Sequence, residues 1–160
     1  KKGVSGYDGG KKIKGRKRHI LVDTIGNLLY VKVHSAALQD RDGISLVVTE
    51  EIKQQYPRLE LIYLDKGYRG KGVRHLESLG LKGEVVTHKE DQEIHILAKH
   101  ESIPKRTGFK ILPKRWVVER CFAWYSLCRR LSKDYELQQK TTEAWIYLSA
   151  AMLIINRWHY

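Results

Sequence analysis

The chain of 160 residues fits one compact domain, commonly about 100–200 residues, and its 42% hydrophobic content suffices for a real core. Thirty Lys and Arg against eighteen Asp and Glu leave a formal net charge of +12, and no stretch has a disordered, collagenous or coiled-coil composition. The longest apolar run, "LSAAMLII" (148–155), is too short for a bilayer span of roughly 20 residues, and no apolar segment follows the basic start "KKGVSGYDGGKK". A membrane span and a secretory signal are therefore not expected, and a cytoplasmic location is.

Residues 1–12, rich in Gly and Lys, read as an irregular basic segment. "RHILVDT" and "LLYVKVHS" flank the pair Gly26-Asn27, which predicts a hairpin with a primed turn. From Asp40 to Tyr56 the apolar residues Ile44, Val47, Val48 and Ile52 keep helical spacing, and Pro57 closes the segment. "LELIYLD" (59–65) is a short, nearly continuous apolar run, as in a strand covered on both faces. "GVRHLESLG" (72–80) predicts a short helix ended by Gly80, and "KGEVVTH" (82–88) another strand.

Residues 89–110 are polar and mixed and read as a loop. A long helix is expected from Lys114 to Leu131, with Val117, Cys121, Tyr125 (or Trp124), Cys128 and Leu131 as its buried stripe. A second runs from about Thr141 to Trp158. The two cysteines share one helical face at no zinc or redox spacing, and read as buried thiols without chemistry. No linker divides the chain, so residues 1–160 form one domain. Strands bracketing helices in this order predict an α/β sandwich with at least one parallel pair.

The cations cluster at "KKIKGRKRH" (11–19), "PKRTGFKILPKR" (104–115) and "CRRLSK" (128–133). General solubility would spread such charge; a nucleic-acid partner accounts for the clustering, because basic groups neutralise phosphates and release condensed counterions. Asp65 ends an apolar strand, where α/β proteins bind ligands, although capping the following turn is an ordinary alternative. Glu119 shares a helix face with Arg115, Phe122, Ser126 and Arg129/Arg130, where a plain Arg–Glu surface pair is the alternative.

Together, two carboxylates on separate elements of a basic protein suit divalent metals over a phosphodiester, one acid short of the usual paired-metal set. Asp40 and Asp42 are explained by a helix start, through capping and the macrodipole. Asp23 falls in the hairpin's first strand and Asp8 in a glycine turn. Glu50, Glu51, Asp91 and Glu93 read as solvated charge, and His19 and His88 as packing or basic surface.

At "GYDGGKKIKGRKRHILVDTIGNLL", "LDKGYRG" and "PKRWVVERCFAWYSLCRRLSKDYE" the chain closely resembles the Asp-Asp-Glu transposases of bacterial insertion sequences, over nearly its whole length. The resemblance implies a ribonuclease-H-like mixed sheet with helices on both faces. It implies Asp65 as the second catalytic acid and Glu119 as the third, holding two Mg²⁺ ions, with Mn²⁺ as a substitute. Arg115 matches the arginine of the family's Tyr-x-x-Arg-x-x-x-Glu signature, a DNA contact in relatives. Leu112 stands where that signature has tyrosine, and Ser126 where a lysine is expected, with Arg129 and Arg130 as substitutes for it.

In relatives the first acid lies on a central strand just upstream of the "GYDGGKK" segment, so the expected sheet lacks that strand here. Asp8 and Asp23 match neither its position nor its role. The implied activity is metal-dependent cleavage and strand transfer of insertion-sequence DNA, with this chain as the carboxy-terminal part of the enzyme. Lys14, Arg16, Lys17, Arg18 and Arg115 are expected to hold backbone phosphates, which orient a duplex without reading it. The implied partners are double-stranded DNA (element ends and target) and a second copy in the synaptic complex, in a bacterial, nucleoid-associated setting. Two alternatives remain: a non-catalytic basic DNA-binding remnant or accessory protein, and a related nuclease without strand transfer.

Overall fold

A computed structural model describes residues 3–86 and 114–158. The loop expected at 89–110, positions 87–88 of the last predicted strand, and Leu112 lie outside the described residues. Strands β1 (Gly6–Asp8), β2 (Ile13–Val22) and β3 (Leu28–Ser35) come first, then helices α1 (Asp40–Gly43) and α2 (Glu50–Gln55). Next are β4 (Leu61–Leu64), α3 (Lys71–Ser78), β5 (Lys82–Val85), α4 (Arg115–Leu127) and α5 (Gln139–Trp158). None of these helices, among the described residues, is long and apolar enough to cross a membrane.

The hairpin β2–β3 is antiparallel from Arg16↔Ser35 to Val22↔Leu28, with an irregularity between Leu21 and Val22. Alternation along its strands sends side chains into two cores. On one face Val31 and Val33 pack with Cys121, Tyr125 and Leu131 of the α4 region and with Ile146 and Ala150 of α5. On the other, Leu21 joins Ile44, Val47, Val48, Ile52, Ile62, Leu64, Leu76 and Leu81. Helices therefore cover both faces, and the expected buried stripe of α4 is seen at Val117, Cys121, Tyr125 and Leu131, with Cys128 half-buried. The expected parallel pair is β4–β5, in register from Leu61↔Lys82 to Leu64↔Val85.

Three local expectations are corrected. Within residues 1–12, Gly6–Asp8 is a strand paired with Ile13–Gly15. It approaches so closely that a Cβ on Gly6 would lie 2.0 Å from Ser35 Oγ. The hairpin closes through a longer loop rather than a two-residue turn, and Asp23 belongs to that loop. Its carboxylate accepts from Ile25 N (3.0 Å), Asn27 N (2.8 Å) and Asn27 Nδ2 (2.8 Å). The single helix expected from Asp40 to Tyr56 is broken into α1, a 3₁₀ turn (Ile44–Leu46) and α2, because Thr49 starts a new helix by accepting from Ile52 N.

The two edges of the hairpin differ. Along the outer edge of β3, α5 supplies acceptors: Val31 N–H donates to Tyr147 Oη (3.3 Å) and Val33 N–H to Glu143 Oε1 (2.8 Å). A covered edge neither costs desolvation nor invites stray pairing. Glu143→Ala is expected to destabilise the fold by about 1–3 kcal/mol in urea unfolding, the cost of a buried donor left unmade. Glu143→Gln, which keeps an acceptor, should recover most of that loss.

The opposite edge of β2 is paired by β1 only at Ile13–Gly15. From Arg16 to Val22 it has no strand partner among the described residues, and β4 likewise pairs only with β5. The three-stranded and two-stranded sheets thus stay separate, and a cavity of about 1740 Å³ is lined by residues of both β2 and β4.

Candidate active-site cleft

β4 delivers Asp65 to this cavity. The strand's last ladder bond is Val86 N–H to Leu64 O (2.9 Å), after which the chain turns through the 3₁₀ residues Lys66–Tyr68. Asp65 caps that turn: Oδ1 accepts from Lys66 N (2.7 Å), and its carbonyl accepts from Tyr68 N (3.0 Å). The capping reading is therefore realised for one oxygen, while the residue stays exposed and lines the cleft.

Glu119 is exposed on α4 and lines the same cavity. Its helix is fastened to the hairpin loop by the residues that follow. Arg120 lies between Trp116 (4.2 Å to the ring centroid) and Trp124 (4.6 Å), and donates through Nη2 to Ile25 O (2.8 Å). Cys121 Sγ donates to Gly26 O (3.3 Å), and Arg157 of α5 stacks on Trp124 (4.6 Å) while reaching Asn27 Oδ1 (3.3 Å). Glycine is required at 26: its φ is +89°, and a Cβ there would meet Arg120 Nη2 at 3.1 Å. The sequence reading missed this clamp, although the spacing Trp116, Arg120, Trp124 is the one that stacks a cation between two rings along a helix.

A second missed cluster lines the cleft below Asp65. Tyr68 Oη and His19 Nδ1 share a hydrogen bond (2.6 Å), and the His19 ring stacks obliquely on His34, with centroids 4.7 Å apart. Burial, then the neighbouring His34, pushes the His19 pKa down to about 4, so the ring is neutral near pH 7. Burial, helped by Asp40 and Asp65, raises the Tyr68 phenol well above its ordinary value.

Asp40 does not cap α1, whose N-cap Gln39 makes no side-chain cap bond. Its Oδ1 pairs with Lys17 Nζ (3.0 Å) and lies 3.9 Å from His19 Nε2. Lys17 also meets Asp8 Oδ2 (3.1 Å); burial opposes its charge, but the two carboxylates hold the ammonium above its ordinary pKa. Asp42 turns away to Lys71 (2.5 Å), which keeps its carboxyl below the usual range.

The cations expected to meet phosphate divide into two kinds. Lys14 and Arg129 are exposed; Arg130 is exposed too, with an ion pair to Glu136 (3.4 Å) and a stack over Trp145. Arg16 is turned inward, its side chain 6% exposed, bonding Asp134 Oδ2 (3.2 Å), Leu137 O (2.7 Å) and Val4 O (2.8 Å). Arg18 donates to Leu131 O (2.8 Å), and burial lowers its pKa. These two tie β2 to the α4–α5 connection. The side chain of Arg115 lies outside the described residues.

The cleft thus brings two carboxylates from separate elements under a basic rim, in a mixed α/β fold compatible with the ribonuclease-H-like class. Such a setting belongs to proteins that work on polyanions. The family model for the transposase DDE domain matches residues 1–154, and the chain belongs to that family of DDE transposases. The family cleaves and transfers DNA strands and normally uses divalent metals. No curated protein and no solved structure matched the chain.

Among the described residues, no group of three or more His, Cys, Asp or Glu side chains is arranged to hold a metal ion. Exposed carboxylates are the hard oxygen donors that Mg²⁺ takes, so Asp65 and Glu119 fit the family's cation in kind and fall short in number.

Proposed function

We propose that this chain supplies two of the three catalytic acids of an insertion-sequence transposase, Asp65 and Glu119. The observation that carries the reading is that both line one cleft, which is also lined by β2 and β4 along edges that have no strand partner among the described residues. The first acid then arrives on a strand, outside these 160 residues, that pairs with both edges. Paired divalent ions, Mg²⁺ or Mn²⁺, would supply activation of the attacking oxygen and charge relief on the leaving one.

The protein's own residues bind and orient. Asp65 and Glu119 would hold the cations; Lys14, Arg115 and Arg129 hold backbone phosphates, which fix the duplex over the acids. Arg130 adds a further phosphate contact, and Lys17 places its charge at the cleft wall between Asp8 and Asp40. Arg16 and Arg18 serve by holding the α4–α5 connection against β2. Water attacks the phosphorus at the element's end and the 3′ oxygen departs with a proton; that hydroxyl then attacks a target phosphorus, displacing the target strand's own 3′ oxygen, which leaves with the hydroxyl's proton. Most of the catalysis is positioning and charge stabilisation. Two copies, each on one element end, form the synaptic dimer.

The test joins the natural coding segment upstream of residue 1 to this chain and follows Mg²⁺-dependent nicking of the DNA flanking the gene. Nicking by the extended chain, with little by the 160-residue one, is expected. Equal nicking by both would remove the need for an added strand.

A second reading is favoured by the lack, among the described residues, of any group of three His, Cys, Asp or Glu side chains that could hold a metal: a basic protein that binds DNA without cutting it. It entails sequence-indifferent binding that weakens steeply with salt, and no cleavage by the extended chain in any metal.

A further inference from the structure

We infer that Tyr68 and His19 are a positioning pair that sets the Asp65 turn against β2, the hydroxyl-to-imidazole hydrogen bond fixing where the Asp65 carboxylate enters the cleft. The inference rests on the reading of Asp65 as a metal-holding acid. β4 ends at Leu64, and the chain passes directly into the turn that carries Asp65 and Tyr68. Asp65, Lys66 and Gly67 are all exposed, and Tyr68 is the residue of the turn that goes inward. Its hydroxyl reaches β2, where it shares a hydrogen bond with His19 Nδ1 at 2.6 Å.

His19 is itself held still. It is 6% exposed and stacked on His34, and Gly43 presses against its ring so closely that a Cβ there would stand 2.7 Å from Cε1. The other ring nitrogen, Nε2, faces Asp40 Oδ1 at 3.9 Å, so both sides of the imidazole meet polar groups of the cleft. Asp40 in turn closes on the turn from below: a Cβ on Gly67 would lie 3.4 Å from its Oδ2. An ordinary buried Tyr–His contact would serve packing alone. This one lies in the same turn as Asp65, three residues further on. Loss of an outer partner of a metal-holding group commonly weakens metal affinity by roughly ten- to a hundredfold.

The test titrates the 160-residue chain with Mn²⁺ by electron paramagnetic resonance. Asp65→Asn should remove the site. Tyr68→Phe, which loses only the hydroxyl, should weaken Mn²⁺ about tenfold. His19→Leu should do the same, and His19→Asn, which offers an oxygen near the Nδ1 position, should recover part of the loss. In the Asp65→Asn background Tyr68→Phe should change nothing further, a coupling that a general loss of packing would not produce. Full Mn²⁺ affinity in Tyr68→Phe, with the site lost in Asp65→Asn, overturns the pair. If Asp65→Asn leaves Mn²⁺ binding intact, the reading of Asp65 falls instead. Amide exchange then judges the pair: faster exchange at Lys66–Tyr68 in Tyr68→Phe sustains it, and unchanged exchange overturns it.

Discussion

In the extended enzyme, Asp65→Asn and Glu119→Gln each reduce Mg²⁺-dependent nicking by at least about 10²–10³-fold, the scale of one charge-stabilising group. The amide replacements discriminate better than alanine. Asp65 has a structural task, since its Oδ1 receives the Lys66 amide and starts the turn. Asparagine keeps an acceptor there and retains the cap, so the turn survives while the charge is lost. An enzyme that needed only the cap would stay active as Asp65→Asn; one that needs the carboxylate to hold cations would not. Glu119→Gln keeps the side chain's shape and an acceptor oxygen, and Arg120 and Cys121 still fasten the helix to the hairpin loop. Unfolding midpoints close to wild type, with nicking lost in both, are the expected pair of readings.

Acidification gives the second large effect. His19 carries a pKa lowered from 6.5 to about 4 by burial and by His34 on β3, with Lys17 and Lys11 adding to the depression and Asp40 on α1 opposing it. The unfolded chain therefore binds a proton here, between about pH 6.5 and 4, that the folded chain refuses. Stability must rise with pH across that window and fall as pH is lowered through it. At about 1.4 kcal/mol per unit the loss approaches roughly 3 kcal/mol by pH 4.

Other groups act lower. Asp8, Asp42 and Glu51 are held below their ordinary values of 3.8, 3.8 and 4.5, so their contributions are present above those values and fade only as pH falls through the depressed ones. Urea unfolding from pH 7 to pH 4 should show the early loss, and His19→Asn should flatten it. A wild-type profile flat across that window would mean that His19 titrates normally.

Much of the fold was legible because its signals are local. The apolar runs at 28–33 and 61–64, Gly80 past a short helix, and the stripe through Val117, Cys121 and Tyr125 each report their own surroundings. What the sequence hid depends on distant partners. Arg16 reads as a surface cation beside Lys14 and Lys17, yet it bonds Asp134, which lies 118 residues further along the chain. Composition hid β1, whose Gly and Lys content suggests an irregular segment while its pairing with Ile13–Gly15 and its close approach to Ser35 hold it straight. The helix break at 44–49 was available in Thr49, an N-cap residue set inside an otherwise continuous helical pattern.

The site divides in the same way. Asp65 stood out because a carboxylate ends an apolar strand, and the structure adds its turn and the Tyr68–His19 bond. Glu119 was legible only beside the motif around it. The stacked Arg120 that fixes its helix went unread, since its partner is a carbonyl in the hairpin loop. Asp40, read as part of a helix start, in fact faces Lys17 and His19 across the cleft, which spacing along one segment cannot reveal.

The most direct measurement puts Fe²⁺ in place of Mg²⁺ in the extended enzyme, generates hydroxyl radicals at the bound metal, and maps backbone cuts by mass spectrometry. Cuts flanking both Asp65 and Glu119, all lost when either residue is changed to its amide, are expected if the two carboxylates grip the same ions. Cuts beside only one of them, or cuts at one that persist when the other is neutralised, would contradict the shared site.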